Sequence, residues 1–120
     1  MNHADHVALL RPAGLPQAGV WADFGSGTGA FTLALRELVG PAAEIFAVDQ
    51  HQTSLAELVK AFQRKFGIAD RLHTMPADFR SLLDLPALDG LLMANSLHFI
   101  KNKIKCSMRS FNFLFISFIG

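Results

Sequence analysis

The sequence predicts an α/β fold, a mostly parallel sheet between two layers of helices. Three observations carry that prediction. Apolar runs alternate with helical patterns from Val20 to Phe66, the order of a β-α-β-α unit. Short turns join the pieces, so consecutive strands run parallel through right-handed helical crossovers. The runs Val20–Phe24, Glu44–Asp49 and Leu88–Ala94 show little apolar/polar alternation, as in strands covered on both faces.

Each element has a local reason. Residues 1–10 suit a short helix whose apolar mass is Val7, Leu9 and Leu10. The stretch 11–16 holds two prolines and a glycine and reads as a loop. Val20–Phe24 is the first strand. Gly25, Gly27 and Gly29 follow at alternate positions. Glycine permits φ > 0 and lets a ligand approach the backbone without a Cβ in the way. The free N–H groups of the next helix point into the same spot. That helix is expected over Gly29–Val39, with Phe31, Ala34, Leu35 and Leu38 on one face and Gly40-Pro41 as its stop.

Glu44–Asp49 is the second strand and ends on an acid. Ser54-Leu55-Ala56-Glu57 has the form of a capping box. Leu55, Leu58, Val59, Phe62 and Phe66 then mark a second amphipathic helix closed by Gly67. Arg71–Met75 is a weaker strand pattern. Asp78 stands where it can N-cap a short helical stretch, Phe79–Leu83. Leu88–Ala94 is the fourth strand, and Asn95-Ser96-Leu97-His98-Phe99 follows at its carboxyl end. Open α/β sheets bind ligands at that edge. Phe111–Ile119 is apolar enough for a fifth strand placed to cover an open sheet edge.

Composition bounds the rest. The chain has 120 residues, half of them apolar, which suits one globular domain. The single cysteine, Cys106, excludes an internal disulfide and a cysteine-built zinc site, and suits a free thiol in a reducing cytosol. No metal site is expected. The N-terminus lacks the basic start and apolar run of a secretory signal, so a cytoplasmic location is expected. Charge is distributed unevenly. All ten acids lie in residues 1–100, whereas residues 101–120 carry Lys101, Lys103, Lys105 and Arg109 with no acid and no alanine. Four of the eleven phenylalanines also crowd into that segment. Its apolar run is too short for a bilayer, which needs about 20 residues. Basic and aromatic residues together can contact nucleic acid or an anionic membrane, but a solvated basic segment is the simpler expectation.

Asp23-x-Gly25-x-Gly27-x-Gly29 resembles the first motif of the class I, S-adenosylmethionine-dependent methyltransferases, which have a Rossmann-like fold. The same glycines also satisfy the dinucleotide fingerprint, through Gly25, Gly27 and Ala30. Ligand charge separates the two. A dinucleotide places an anionic pyrophosphate over the loop, where Asp23 would repel it. S-adenosylmethionine carries an ammonium and a sulfonium, which Asp23 would attract. No triphosphatase loop of the G-x-x-x-x-G-K-[ST] type occurs.

The resemblance covers residues 18–100 and implies a role for each matching residue. Gly25, Ser26, Gly27 and Gly29 would hold the methionine end of the cofactor, with Asp23 orienting its amino group. Asp49, 20 residues past Gly29, would hold the ribose hydroxyls. Asp78 would take the adenine amino group, and Phe79 would lie against the ring. Asn95 matches a position near the transferable methyl group. Asn95 and His98 are weak candidates for catalysis, and His98 reads more simply as a packed or surface histidine. The family's domain continues through three further strands, so the Rossmann-like sheet is expected to be incomplete at its C-terminus. Residues 1–100 are then the cofactor-binding part and residues 101–120 an atypical tail, expected not to be the native continuation. An exposed sheet edge there predicts self-association. The acceptor is expected to be a small molecule, with nucleic acid and protein left open. Two alternatives stand beside an active methyltransferase: a non-catalytic cofactor-binding remnant and, below it, an NAD-dependent oxidoreductase.

Overall fold

A computed structural model describes residues 2–11, 15, 17–78, 84–94 and 108–116, the last nine and Ala94 by backbone only. The elements are α1 (His3–Leu10), β1 (Val20–Phe24), α2 (Ala30–Val39), β2 (Glu44–Asp49), α3 (Gln52–Phe66), β3 (Leu72–Pro76), β4 (Leu88–Ala94) and β5 (Met108–Ile116). The five strands form one sheet in the order β3-β2-β1-β4-β5. All four pairings are parallel. The chain moves outward from β1 through β2 to β3, then returns to the other side of β1 at β4. The strand order thus reverses between β1 and β4, and α/β sheets take ligands at the carboxyl ends of strands at such a switch point.

The described helices share one face of the sheet. Val7 and Leu10 of α1, Phe31, Leu35 and Val39 of α2, and Leu55, Leu58 and Phe62 of α3 form a single buried cluster with Trp21, Ile45, Leu72 and Leu92. The opposite face buries Ala22, Phe24, Val48, Leu88, Leu91 and Met93. Side chains alternate across a strand, so the continuously apolar β1 and β4 feed both clusters.

Several boundaries differ from those expected. α1 begins with a capping box in which the Asn2 side chain accepts from the Asp5 N–H and the Asp5 carboxylate accepts from the Asn2 N–H. Leu9, counted among its apolar mass, is 44% exposed. The buried face of α2 includes Thr32 and Val39, while Leu38 is only half-buried. The Ser54–Glu57 capping box is not the start of α3. The helix begins three residues earlier, with His51 as an N-cap that makes no side-chain bond. The reason is that the Asp49 carboxylate accepts the His51 N–H at 2.9 Å and turns the chain into the helix before Ser54. β3 is shifted by one residue because its register with β2 runs from Ile45↔Leu72 to Asp49↔Pro76. The fifth strand occupies Met108–Ile116 rather than Phe111–Ile119, with β4 as its partner. The short helical stretch expected over Phe79–Leu83 lies outside the described residues.

Candidate functional site

The carboxyl ends of β1, β2 and β3 bring most of the expected site together. β1 ends at Phe24, and Gly25, Gly27 and Gly29 all take positive φ, +75°, +57° and +98°. Gly29 has a second constraint. A Cβ there would lie 2.7 Å from Leu58 Cγ, so α2 can start only where a residue without a side chain passes α3. Gly27 differs, because a Cβ at that position would meet nothing within 4 Å and would project into open space.

Backbone hydrogen bonds hold this loop. Gly25 N–H and Ser26 N–H both donate to the Val48 carbonyl, at 2.8 and 3.1 Å. Gly27 N–H donates to Asp49 Oδ2 at 2.9 Å, and Gly29 N–H donates to the Ser26 carbonyl at 3.1 Å. The β1–β2 ladder therefore continues past the strand ends into the turn. Asp49 is the fastener, with one oxygen on Gly27 and the other on His51. An ionised carboxylate has about four acceptor sites, so both oxygens keep capacity for a further donor.

Asp23 is buried, 1% exposed, and its Oδ2 accepts the Thr32 hydroxyl at 2.6 Å. Burial raises its pKa from 3.8 to about 7; the Thr32 hydrogen bond lowers it and nearby Asp49 raises it. Two carboxylates thus stand at the ends of adjacent strands. The described ion pairs join His3 to Glu37 and Arg71 and His73 to Glu44, and none of them reaches Asp23 or Asp49. Asp78 follows directly: Ala77 N–H donates to the Asp49 carbonyl at 3.0 Å, which sets Asp78 beside the end of β2. Phe79, Asn95 and His98 lie outside the described residues. A groove of about 270 Å³ between α3 and β3 is lined by Gln52, Leu55, Ala56, Val59, Thr74 and Pro76 and by none of the residues expected to hold a cofactor.

Two features fit a ligand resting on the loop. Among the described residues, Ser26 Oγ is buried without a hydrogen-bond partner, and unpaired buried polar atoms are uncommon. The space beside Gly27 is open. The charge fits a cation rather than a pyrophosphate. The amides of Gly25, Ser26, Gly27 and Gly29 are already engaged, and the side chain that accepts from the loop is the acid Asp49, with Asp23 on the strand before it. Thr32 and His51 were not legible as parts of this site. The signal for Thr32 was a hydroxyl on an otherwise apolar helix face. His51 takes part through its backbone, which no side-chain pattern reveals.

The model of a methyltransferase domain family matches residues 22–112, three quarters of the chain and all of this site. The chain belongs to the class I, S-adenosylmethionine-dependent methyltransferases. Ribosomal RNA small subunit methyltransferase H of Paracidovorax citrulli is 30% identical over 108 residues, which is 90% of this chain and 33% of that protein. The fold is similar to TrmN from Thermus thermophilus, with a TM-score of 0.66 and 24% identity over 80% of this chain and 29% of that one. It is also similar to a SAM dependent methyltransferase from Aquifex aeolicus, with a TM-score of 0.64 and 22% identity over 78% of this chain and 50% of that one. The chain spans about a third of the length of the curated methyltransferase it matches. Among the described residues, no helix is long and apolar enough to cross a membrane.

Proposed function

We propose that this chain binds S-adenosylmethionine at the carboxyl ends of β1, β2 and β3 and serves methyl transfer. The observation that carries the reading is Asp49, whose carboxylate closes the glycine loop from the end of β2 and there meets the position of a nucleoside ribose. Gly25, Ser26, Gly27 and Gly29 receive the methionine end, and Ser26 Oγ gains the partner it lacks. Asp23 takes the amino group and Asp78 the adenine amino group, and the family resemblance assigns Phe79 to the adenine ring. By the family resemblance, Asn95, the residue after β4 in sequence, is assigned to the neighbourhood of the reacting methyl group. When bound, S-adenosylmethionine supplies a methyl group on a sulfonium, so the leaving group is already activated. The protein's task is alignment and exclusion of water, which needs no obligatory acid or base. His98 is therefore not required to act as one.

The acceptor is a separate matter. The curated relative is named for ribosomal RNA, which puts small-subunit ribosomal RNA ahead of the small molecules expected from the residues. The cations Lys101, Lys103, Lys105 and Arg109 suit a phosphate backbone.

Calorimetric titration with S-adenosylmethionine, S-adenosylhomocysteine and NAD tests the cofactor. The expected result is saturable binding of both adenosyl ligands, none of NAD, and loss of binding in Asp49→Ala. Absence of binding by folded wild-type protein overturns the reading. Incubation with labelled S-adenosylmethionine and ribosomal RNA or a small-molecule set then separates turnover from binding alone.

A further inference from the structure

Thr32 is fully buried on the sheet-facing side of α2, among Phe31, Ala34, Leu35 and Val39. Packing alone asks for no hydroxyl there. A helical threonine often returns its hydroxyl to the carbonyl four residues earlier. This one instead crosses to β1 and donates to Asp23 Oδ2 at 2.6 Å. The bond therefore ties the start of α2 to the acid that precedes the glycine loop.

The surroundings of Asp23 leave Thr32 as its source of compensation. In register, its strand neighbours are Ala47 on β2 and Leu92 on β4, neither of them charged. The charged group acting on it is Asp49, a like charge at the end of β2. Burial and Asp49 both favour the protonated carboxyl, whereas the Thr32 hydroxyl favours the carboxylate. Hydrogen bonds to an ionised acceptor are the strong ones.

We propose that Thr32 is a positioning residue of the cofactor site, its hydroxyl holding the Asp23 carboxylate in the orientation and charge state that receive a cationic ligand. The role rests on the reading of Asp23 given under Proposed function. A neutral Asp23 offers the ammonium and sulfonium of S-adenosylmethionine no charge. With its pKa at about 7, Asp23 is poised so that a lost donor changes its ionised fraction at neutral pH. Each unit of upward shift then lowers that fraction by up to about tenfold.

The test compares wild type, Thr32→Val and Thr32→Ser by two readouts. The first is the Asp23 carboxyl ¹³C titration by NMR without ligand. The second is calorimetric affinity for S-adenosylmethionine from pH 6 to pH 9. Thr32→Val is expected to raise the Asp23 midpoint by about one unit or more and to weaken binding at pH 7 about fivefold or more, with the deficit shrinking toward pH 9. Thr32→Ser, which restores the donor, is expected to return both readouts to wild type. Thr32→Ala gives the same comparison if Thr32→Val does not fold. An unchanged midpoint, or a binding loss equal at every pH and not rescued by serine, overturns the role of Thr32 while leaving the cofactor reading intact. Failure of wild type to bind S-adenosylmethionine at any pH rejects the cofactor reading and this role with it.

Discussion

Gly27 and Gly29 sit two residues apart with positive φ, yet alanine at each should fail for a different reason. At Gly27 the φ of +57° is the only conformational objection, since a methyl group would meet nothing within 4 Å. Left-handed backbone costs an L-residue about 1–2 kcal/mol, and replacing glycine returns about 0.4–1 kcal/mol by restricting the unfolded chain. The net loss expected for Gly27→Ala is about 1 kcal/mol or less. At Gly29 the same backbone term is joined by overlap with Leu58, whose Cγ and Cδ1 lie 2.7 and 2.9 Å from the added carbon. Leu58 is fully buried and cannot swing into solvent. Overpacking of this kind costs about 1–3 kcal/mol, so Gly29→Ala should lose about 2–4 kcal/mol. Urea unfolding followed by the fluorescence of Trp21, the one tryptophan and fully buried, reads both variants. In Gly29→Ala combined with Leu58→Ala, the two losses should sum to less than additive, because the shortened side chain makes room. Ligand affinity should rank the variants the other way, because the Gly27 methyl group enters the open space in front of the loop. Equal destabilisation of the two single variants, or strict additivity with Leu58→Ala, would refute the steric account.

Three further outcomes follow from the same structure. Asp23 has a folded pKa of about 7 against an ordinary 3.8. The fold therefore holds its proton more tightly than the unfolded chain, and the associated stability is complete below pH 3.8 and lost as pH rises through about 7. Asp23→Asn should match wild type in stability near pH 3.5 and exceed it by up to about 4 kcal/mol at pH 8. A difference independent of pH in urea unfolding would contradict this. Gly90→Ala should destabilise by about 3 kcal/mol, because a Cβ there overlaps the Trp21 ring; a red-shifted Trp21 emission in the variant is the check. Asp49→Ala removes the acceptor of both the Gly27 and His51 amides and should lose about 2 kcal/mol in chemical unfolding as well as ligand binding. Asp49→Asn keeps one carbonyl oxygen and should recover part of that stability.

The sequence made the elements legible where burial on both faces produced a continuous apolar run. Val20–Phe24, Glu44–Asp49 and Leu88–Ala94 occupy their expected residues, and Gly40 and Gly67 end their helices with positive φ. Legibility failed where a tertiary partner decided. Ser54 and Glu57 have the form of a cap, but Asp49 reaches the chain first and starts α3 at Gln52. β3 is an edge strand with a single buried residue, so only its register with β2 fixes its limits. At the site, glycine spacing announced the loop and the distance to Asp49 announced its neighbour. The direction of the Asp23 side chain was not legible, because its partner Thr32 lies nine residues away across a turn and looks like a helix-face residue. Asp49 also has a second task, fastening the loop, that a ligand-centred reading of the residue does not suggest.

The continuation of the β1–β2 ladder into the glycine loop has a consequence for how ligands will be found. A loop whose hydrogen bonds run to Val48 and Asp49 is tied by the protein's own strand end, which limits the ordering entropy that binding must overcome. It also means that the ligand does not build the fold. Any rise in melting temperature on titration should then follow simple mass action, worth about 2.7 kcal/mol at a hundredfold excess over the dissociation constant. Thermal-shift measurements on this chain can accordingly report binding, with adenosyl compounds compared at equal concentration.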